Sequence, residues 1–163
     1  MALENVPAGQ SSDGRGLVLW VPAISNPAAP TVAELTGGTV VAITYSLTPD
    51  GFRHDTTENV ISDGRYTLKQ VLELPGTVTD TLELQYVAGT PAQTALTEGT
   101  NGFIVHRLGV PNETTIAAAQ KVDVIPVRAG VQRKVAPTAN TLLSRQSKMF
   151  VTGTVYRDVA VAA

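Results

Sequence analysis

Alternation of apolar and polar residues is the dominant pattern along the chain, and a period of two is the signature of β-strands with one covered face. Over residues 40–47, Val41, Ile43, Tyr45 and Leu47 fall on one face. Over 65–74, Tyr66, Leu68, Leu72 and Leu74 oppose Arg65, Thr67, Lys69 and Glu73. Over 77–87, Val78, Leu82, Leu84 and Tyr86 oppose Thr79, Thr81, Glu83 and Gln85. Pro75-Gly76 separates the last two runs, and this turn signal predicts a hairpin with one wet face. Further strands are predicted over 16–23, 103–108, 121–128, 131–136 and 148–158, with a bulge or close backbone approach at Gly153 inside the last.

Helix signals are few. Thr90-Pro91 before residues 92–98 and Gly99 supplies a capping hydroxyl, a first-turn proline and a glycine stop. Thr31 and Glu34 have capping-box spacing ahead of Gly37-Gly38, which predicts a single helical turn. The fold class is therefore mainly β, a sandwich or barrel with one short flanking helix. Three stretches fit such a body badly: the polar arm up to Gly14, residues 46–64, and the Thr-, Asn- and Ser-rich residues 136–147. Connections longer than about 12–15 residues are functional or disordered as a rule, and 46–64 carries Phe52, Arg53, His54 and Asp55.

Composition narrows the chemistry. At 163 residues and 17.1 kDa, one domain spanning 1–163 is expected, and area scaling predicts about 7,800 Å² of folded surface. With no cysteine, thiolate zinc sites, iron–sulfur clusters and cysteine nucleophiles are all excluded. A net charge of −2 argues against a dedicated nucleic-acid binder. The charge is uneven, however. Up to Glu98 there are eleven acidic and four basic residues, a net −7; beyond it there are eight basic and three acidic, a net +5. Either the two segments interleave on one surface, or they form complementary surfaces between copies. The start of the chain lacks a basic, apolar leader, and the longest apolar run, residues 17–24, is far short of a membrane span, so a protein made in the cytoplasm with no membrane partner is expected.

No catalytic constellation emerges. His106 lies in an alternating run, where a strand-borne polar residue is the ordinary explanation. His54, Asp55 and Glu58 carry metal-binding atoms but match no metal signature. There is no nucleophile elbow, P-loop or dinucleotide fingerprint, and no cofactor is expected. Arg128, Arg133 and Lys134 flank Ala129-Gly130 and could form a basic tip, yet no aromatic interleaves as a single-strand platform requires. A carbohydrate- or peptide-binding sandwich would need an exposed aromatic platform, and Trp20 is the one tryptophan, inside a predicted strand.

Collinear segments carry a resemblance. They are Ser12-Asp13-Gly14-Arg15-Gly16-Leu17-Val18-Leu19-Trp20-Val21-Pro22, Pro30-Thr31-Val32-Ala33-Glu34-Leu35-Thr36, Ile43-Thr44-Tyr45-Ser46-Leu47-Thr48-Pro49-Asp50-Gly51-Phe52, Arg65-Tyr66-Thr67-Leu68, Leu82-Glu83-Leu84-Gln85-Tyr86, and Glu98-Gly99-Thr100-Asn101-Gly102-Phe103-Ile104-Val105-His106-Arg107-Leu108-Gly109. In this order the chain resembles the tail tube (major tail) proteins of long-tailed, non-contractile bacteriophages, particularly those infecting actinobacteria. The resemblance implies a virion protein whose copies form hexameric rings. These stack into a tube for genome delivery, with an inner β-barrel shared by all subunits. It implies contact with other tail proteins at the tube ends and passage of double-stranded DNA without tight binding. It further implies an N-terminal arm (1–14), an inter-subunit loop (46–64) anchored on the next ring by Phe52, Arg53, His54 and Asp55, and a C-terminal arm (157–163). Arg128, Arg133 and Lys134 become candidate inter-subunit contacts. The face of Thr79, Thr81, Glu83 and Gln85 is a candidate lumen lining, although alternation leaves open whether it meets the lumen, bulk solvent or another subunit. A tail terminator or capsid decoration protein is the alternative reading.

Overall fold

The computed structural model describes residues 4–163. One antiparallel sheet carries the strands in the order β2 (Val41–Ala42), β1 (Gly16–Val21), β5 (Asn101–Leu108), β6 (Lys121–Ala129), β8 (Ser144–Val151), β4 (Leu72–Val87) and β3 (Leu47–Asp63). Two further strands lie off this path: β7 (Arg133–Lys134) pairs with β8, and β9 (Tyr156–Ala160) with β6. The sheet curls on itself. Phe52 at its β3 end stacks on His106 of β5 with ring centroids 4.4 Å apart, although three strands separate them in the sheet order. Inside the curl Val18, Trp20, Leu82, Leu84, Ile125 and Met149 form one core. On the opposite face of β1, β5 and β6, Leu19, Val21, Val105, Val122 and Val124 form a second.

Strand β6 is the branch point. Its first half pairs with β9 and its last residues, Val127 to Ala129, pair with β8. Pro126 sits at the handover, where its carbonyl accepts from the Thr152 N–H at 3.0 Å and its missing N–H deprives neither partner. The run 148–158 accordingly splits into β8 and β9 instead of forming one strand, and Gly153 lies in the break between them.

Both short helices cover the body. In α1 (Val32–Thr36) the Thr31 hydroxyl accepts from the Glu34 N–H at 3.2 Å, and the Glu34 carboxylate accepts from the Thr31 N–H at 2.9 Å. This is the capping box that the spacing predicts. With the Thr31 and Ser25 backbone N–H groups both donating to it, the Glu34 carboxyl is lowered to about 2. Helix α2 (Pro91–Ala95) ends three residues before the predicted limit of 98. The Gln132 amide explains the stop, since it donates to the Gln93 and Leu96 carbonyls at 2.7 and 2.8 Å.

Several predicted strands differ. Over 40–47 only Val41–Ala42 and Leu47, the first residue of β3, are strand; Thr44–Ser46 forms a 3-10 turn, which buries Ile43 and leaves Tyr45 80% exposed. Over 131–136 only Arg133–Lys134 pairs. The expected C-terminal arm is docked on the body: β9 pairs with β6, Val161 is buried, and Ala162 bridges to Thr31. The backbone groups of Val161 and Ala162 are bonded to Pro30, Val32, Ala119 and Gln120. At the other end, Glu4 to Ser12 is exposed and without regular structure, and residues 1–3 of the expected arm lie outside the described range.

Candidate assembly surface

The largest departure from the predicted layout is also the most prominent feature of the surface. Residues 46–64 are not a loop: 47–63 form β3, which pairs with β4 from Leu47↔Tyr86 out to Asp63↔Leu72. The turn of this hairpin lies between Asp63 and Leu72, not at Pro75-Gly76. Pro75-Gly76 instead marks a bulge. The register shifts there between Glu58 and Val60, and a Cβ on Gly76 would sit 2.7 Å from the Asn59 carbonyl oxygen. A proline is tolerated because this part of β4 has a partner on one side only. The second turn signal, Pro49-Asp50-Gly51, is a bulge as well, between Leu47 and Phe52. A Cβ on Gly51 would come within 2.1 Å of the Gln85 carbonyl oxygen, so only glycine permits the fold-over.

The hairpin has two halves. Near the body, β4 is flanked by β8 from Leu82↔Met149 to Val87↔Ser144, and Leu82, Leu84 and Tyr86 are fully buried. Beyond Leu82 the ribbon is two strands wide, and the 17-residue β3 ends the sheet with an outer edge that no other strand pairs among the described residues. Val60, Ile61, Val71, Leu72, Leu74 and Val78 are each 49–56% exposed, and Tyr66 is 98% exposed. The apolar face predicted for 65–74 thus exists in part but joins neither core among the described residues. The described surface totals 10,524 Å², about 2,700 Å² more than a compact chain of this mass presents.

The four residues expected to anchor a loop are dispersed by strand alternation. Phe52 packs into its own core and on His106, so its side chain is committed within the subunit. Arg53 and Asp55 are exposed on the outer face, and Arg53 Nε donates to the Asp50 carbonyl at 3.1 Å. His54 faces the other way, with Nε2 3.1 Å from Asp80 Oδ1. Asp55 therefore lies across the sheet from His54 and Glu58, and the metal-ligand set weighed in the sequence is not assembled.

Asp80 collects the polar contacts at the hairpin's root. Its Oδ1 accepts from the Thr56 hydroxyl at 2.6 Å and from the Arg157 guanidinium of β9. Burial pushes its carboxyl up, but Thr56, Arg157 and His54 together outweigh that and hold it below the ordinary carboxylate range. His106, stripped of water beside Phe52, has its pKa lowered by burial, with Asp123 opposing. None of Thr56, Asp80 or Arg157 stood out as a site in the sequence. A signal was nonetheless present, since Asp80 interrupts the apolar row Val78, Leu82, Leu84, Tyr86.

Thr79 and Thr81 are exposed on the face turned away from the core, and Glu83 and Gln85 are half-buried there. The register sets Thr57, Asp55 and Arg53 opposite Thr79, Thr81 and Glu83, and Lys148 beside Glu83. Arg133 reaches Glu83 at 3.0 Å. With Asp80–Arg157 this is the second long-range pair joining the acidic first part of the chain to its basic second part, so the charge asymmetry is partly cancelled within one subunit. Arg128 and Lys134 are exposed and make no ion pair among the described residues.

What this geometry defines is a β-rich structural subunit whose largest exposed element is a strand ribbon. The same architecture occurs in a solved chain of the anti-feeding prophage baseplate, determined by cryo-electron microscopy with six-fold symmetrisation. The TM-score is 0.57 at 14% identity, over 92% of this chain and 95% of that one. No curated protein matches the sequence. The family signature of the phage tail tube proteins matches residues 4–163, and the chain belongs to that family. It is a structural protein of the virion tail. Among the described residues, no helix is long and apolar enough to cross a membrane.

Proposed function

We propose that this chain is the tube-forming subunit itself. Copies close into six-membered rings that stack into a hollow conduit for the genome, and the β3–β4 hairpin makes the principal contact between copies. One observation carries the reading: the 17-residue open edge of β3 together with the half-exposed apolar side chains at the hairpin's free end. An unpaired edge of this length is an aggregation hazard unless another chain covers it, and closure of the sheet between subunits removes it. The surface excess of about 2,700 Å² is enough for several interfaces of about 800 Å² per partner. The exposed N-terminal residues add contacts, and Arg128 and Lys134 meet acidic groups of a neighbour's hairpin such as Glu58 and Glu73. The face of Thr79, Thr81, Glu83 and Gln85, with Thr57 beside Thr79, lines the lumen, where its hydroxyls offer phosphate no fixed counter-charge. Six-fold symmetry is supported by the likeness to a chain of a six-fold assembly.

The test is negative-stain electron microscopy of the chain expressed alone and concentrated. Hollow tubes with a regular axial repeat are expected. Rings that never stack would favour a terminator or decoration role, and monomers that persist even beside an initiator complex would overturn the proposal.

A further inference from the structure

The hairpin passes from packed to free within five residues of β4. Leu82 is fully buried, the Asp80 side chain is 11% exposed, and Val78 is 55% exposed. At this boundary Asp80 and its register partner Thr56 share a hydrogen bond of 2.6 Å, and Arg157 donates to both, to Thr56 Oγ1 at 3.0 Å. Arg157 comes from β9, which pairs with β6 and with neither hairpin strand. Its guanidinium thus ties the hairpin to a separate part of the body.

The backbone around Arg157 is shaped for this contact. Asp158 has φ +51°, a left-handed conformation costly for a residue with a side chain, and its N–H donates to Asp123 Oδ1 at 2.7 Å. The β6–β9 register shifts at the same place, between Val122 and Val124. A bulge re-aims the side chains beside it, and here the one that reaches the hairpin is arginine. A two-stranded ribbon alone is marginal in water and twists freely, whereas a repeating head-to-tail contact needs its element held in one orientation.

We infer that Asp80 and Arg157 are positioning residues for assembly: they lock the angle between hairpin and body, so that the free half is presented in one orientation. This rests on the proposed function, in which the hairpin is the contact between copies. The alternative role for such a cluster is local stability without consequence for assembly.

Hydrogen exchange on the 163-residue monomer, below the concentration at which tubes appear, separates these roles when paired with that concentration itself. For Arg157→Gln and Asp80→Asn, the amides of 54–80 should exchange at least tenfold faster while β1, β5 and β6 are unchanged. The concentration needed for tubes should rise at least tenfold, and Arg157→Lys should recover part of both effects. Unchanged exchange overturns the lock, including the case in which assembly alone falls, because Arg157 then touches a neighbour directly. Faster exchange with unchanged assembly overturns the positioning role. If the wild-type chain forms no tubes under any condition, the tube reading fails and the positioning role falls with it, while the exchange data still report whether the two residues hold the hairpin.

Discussion

In the body of the subunit β1, β5 and β6 are covered on both faces, whereas the free half of β3 and β4 is covered on neither. Strand β4 carries one alternation through both regions. Leu82, Leu84 and Tyr86 are fully buried, yet Leu72, Leu74 and Val78 of the same strand are about half exposed. Alternation reports that a strand has two distinct faces; it does not report that either face is covered by the chain that carries it. In a family that builds tail structures, apolar residues of the second kind are the ones available to another copy.

The comparison is broken most severely from the body side. Leu84→Ala should cost about 3 kcal/mol of monomer stability, read by urea denaturation, because the cavity opens at the centre of the larger core. Arg107 follows. It is 1% exposed, with its guanidinium bonded to the Gln120 side chain and the Pro111 and Thr114 carbonyls, so Arg107→Leu should cost about 2 kcal/mol by leaving those acceptors unpaired. Phe52→Ala should cost about 2 kcal/mol in the monomer, because the ring fills a site against the core and His106. The double variant Ile61→Ser, Leu74→Ser sharpens the contrast from the other side. Monomer stability should move by no more than about 0.5 kcal/mol, while tube formation seen by electron microscopy is lost.

The smallest effect is in pH. Since the folded pKa of His106 is lowered, its contribution to stability is present above about 6.5 and is lost as pH falls through the folded value. For Glu34, lowered to about 2, the contribution is complete above about 4.3 and fades as pH approaches 2. Denaturation of the monomer at pH 7, 5 and 3 should show stability falling at each step, and Glu34→Gln should flatten the lower one.

The body was largely legible in the sequence. The runs 16–23, 103–108 and 121–128 correspond to β1, β5 and β6 within two residues at each end, because strands inside a core are almost continuously apolar and bounded by turn residues. The Thr31–Glu34 box was legible because capping depends on neighbours in sequence alone. The hairpin was not. Beyond Phe52, β3 carries Arg53, Asp55, Thr56, Thr57 and Glu58, with no apolar period, and it is a strand because β4 supplies its ladder. Proline and glycine punctuate bulges as well as turns, and nothing local distinguishes Pro75-Gly76 at a bulge from the same pair at a hairpin tip. The Asp80 cluster is invisible for a related reason: Thr56, Asp80 and Arg157 meet only once β9 has folded against β6.

The two-strand ribbon is also a ruler. From residue 55 to 63, at about 3.3 Å per residue, its free part reaches about 30 Å, twice the radius of gyration of about 15 Å expected for a chain of this length. In the proposed tube, the number of residues in the hairpin would therefore set the spacing at which one copy touches another. Because side chains alternate, shortening each strand by two residues would shift that spacing by about 6.6 Å and keep every face as it is. Removing one from each would turn the remaining tip over, bringing Ser62 and Glu73 to the face where Ile61, Leu72 and Leu74 now stand.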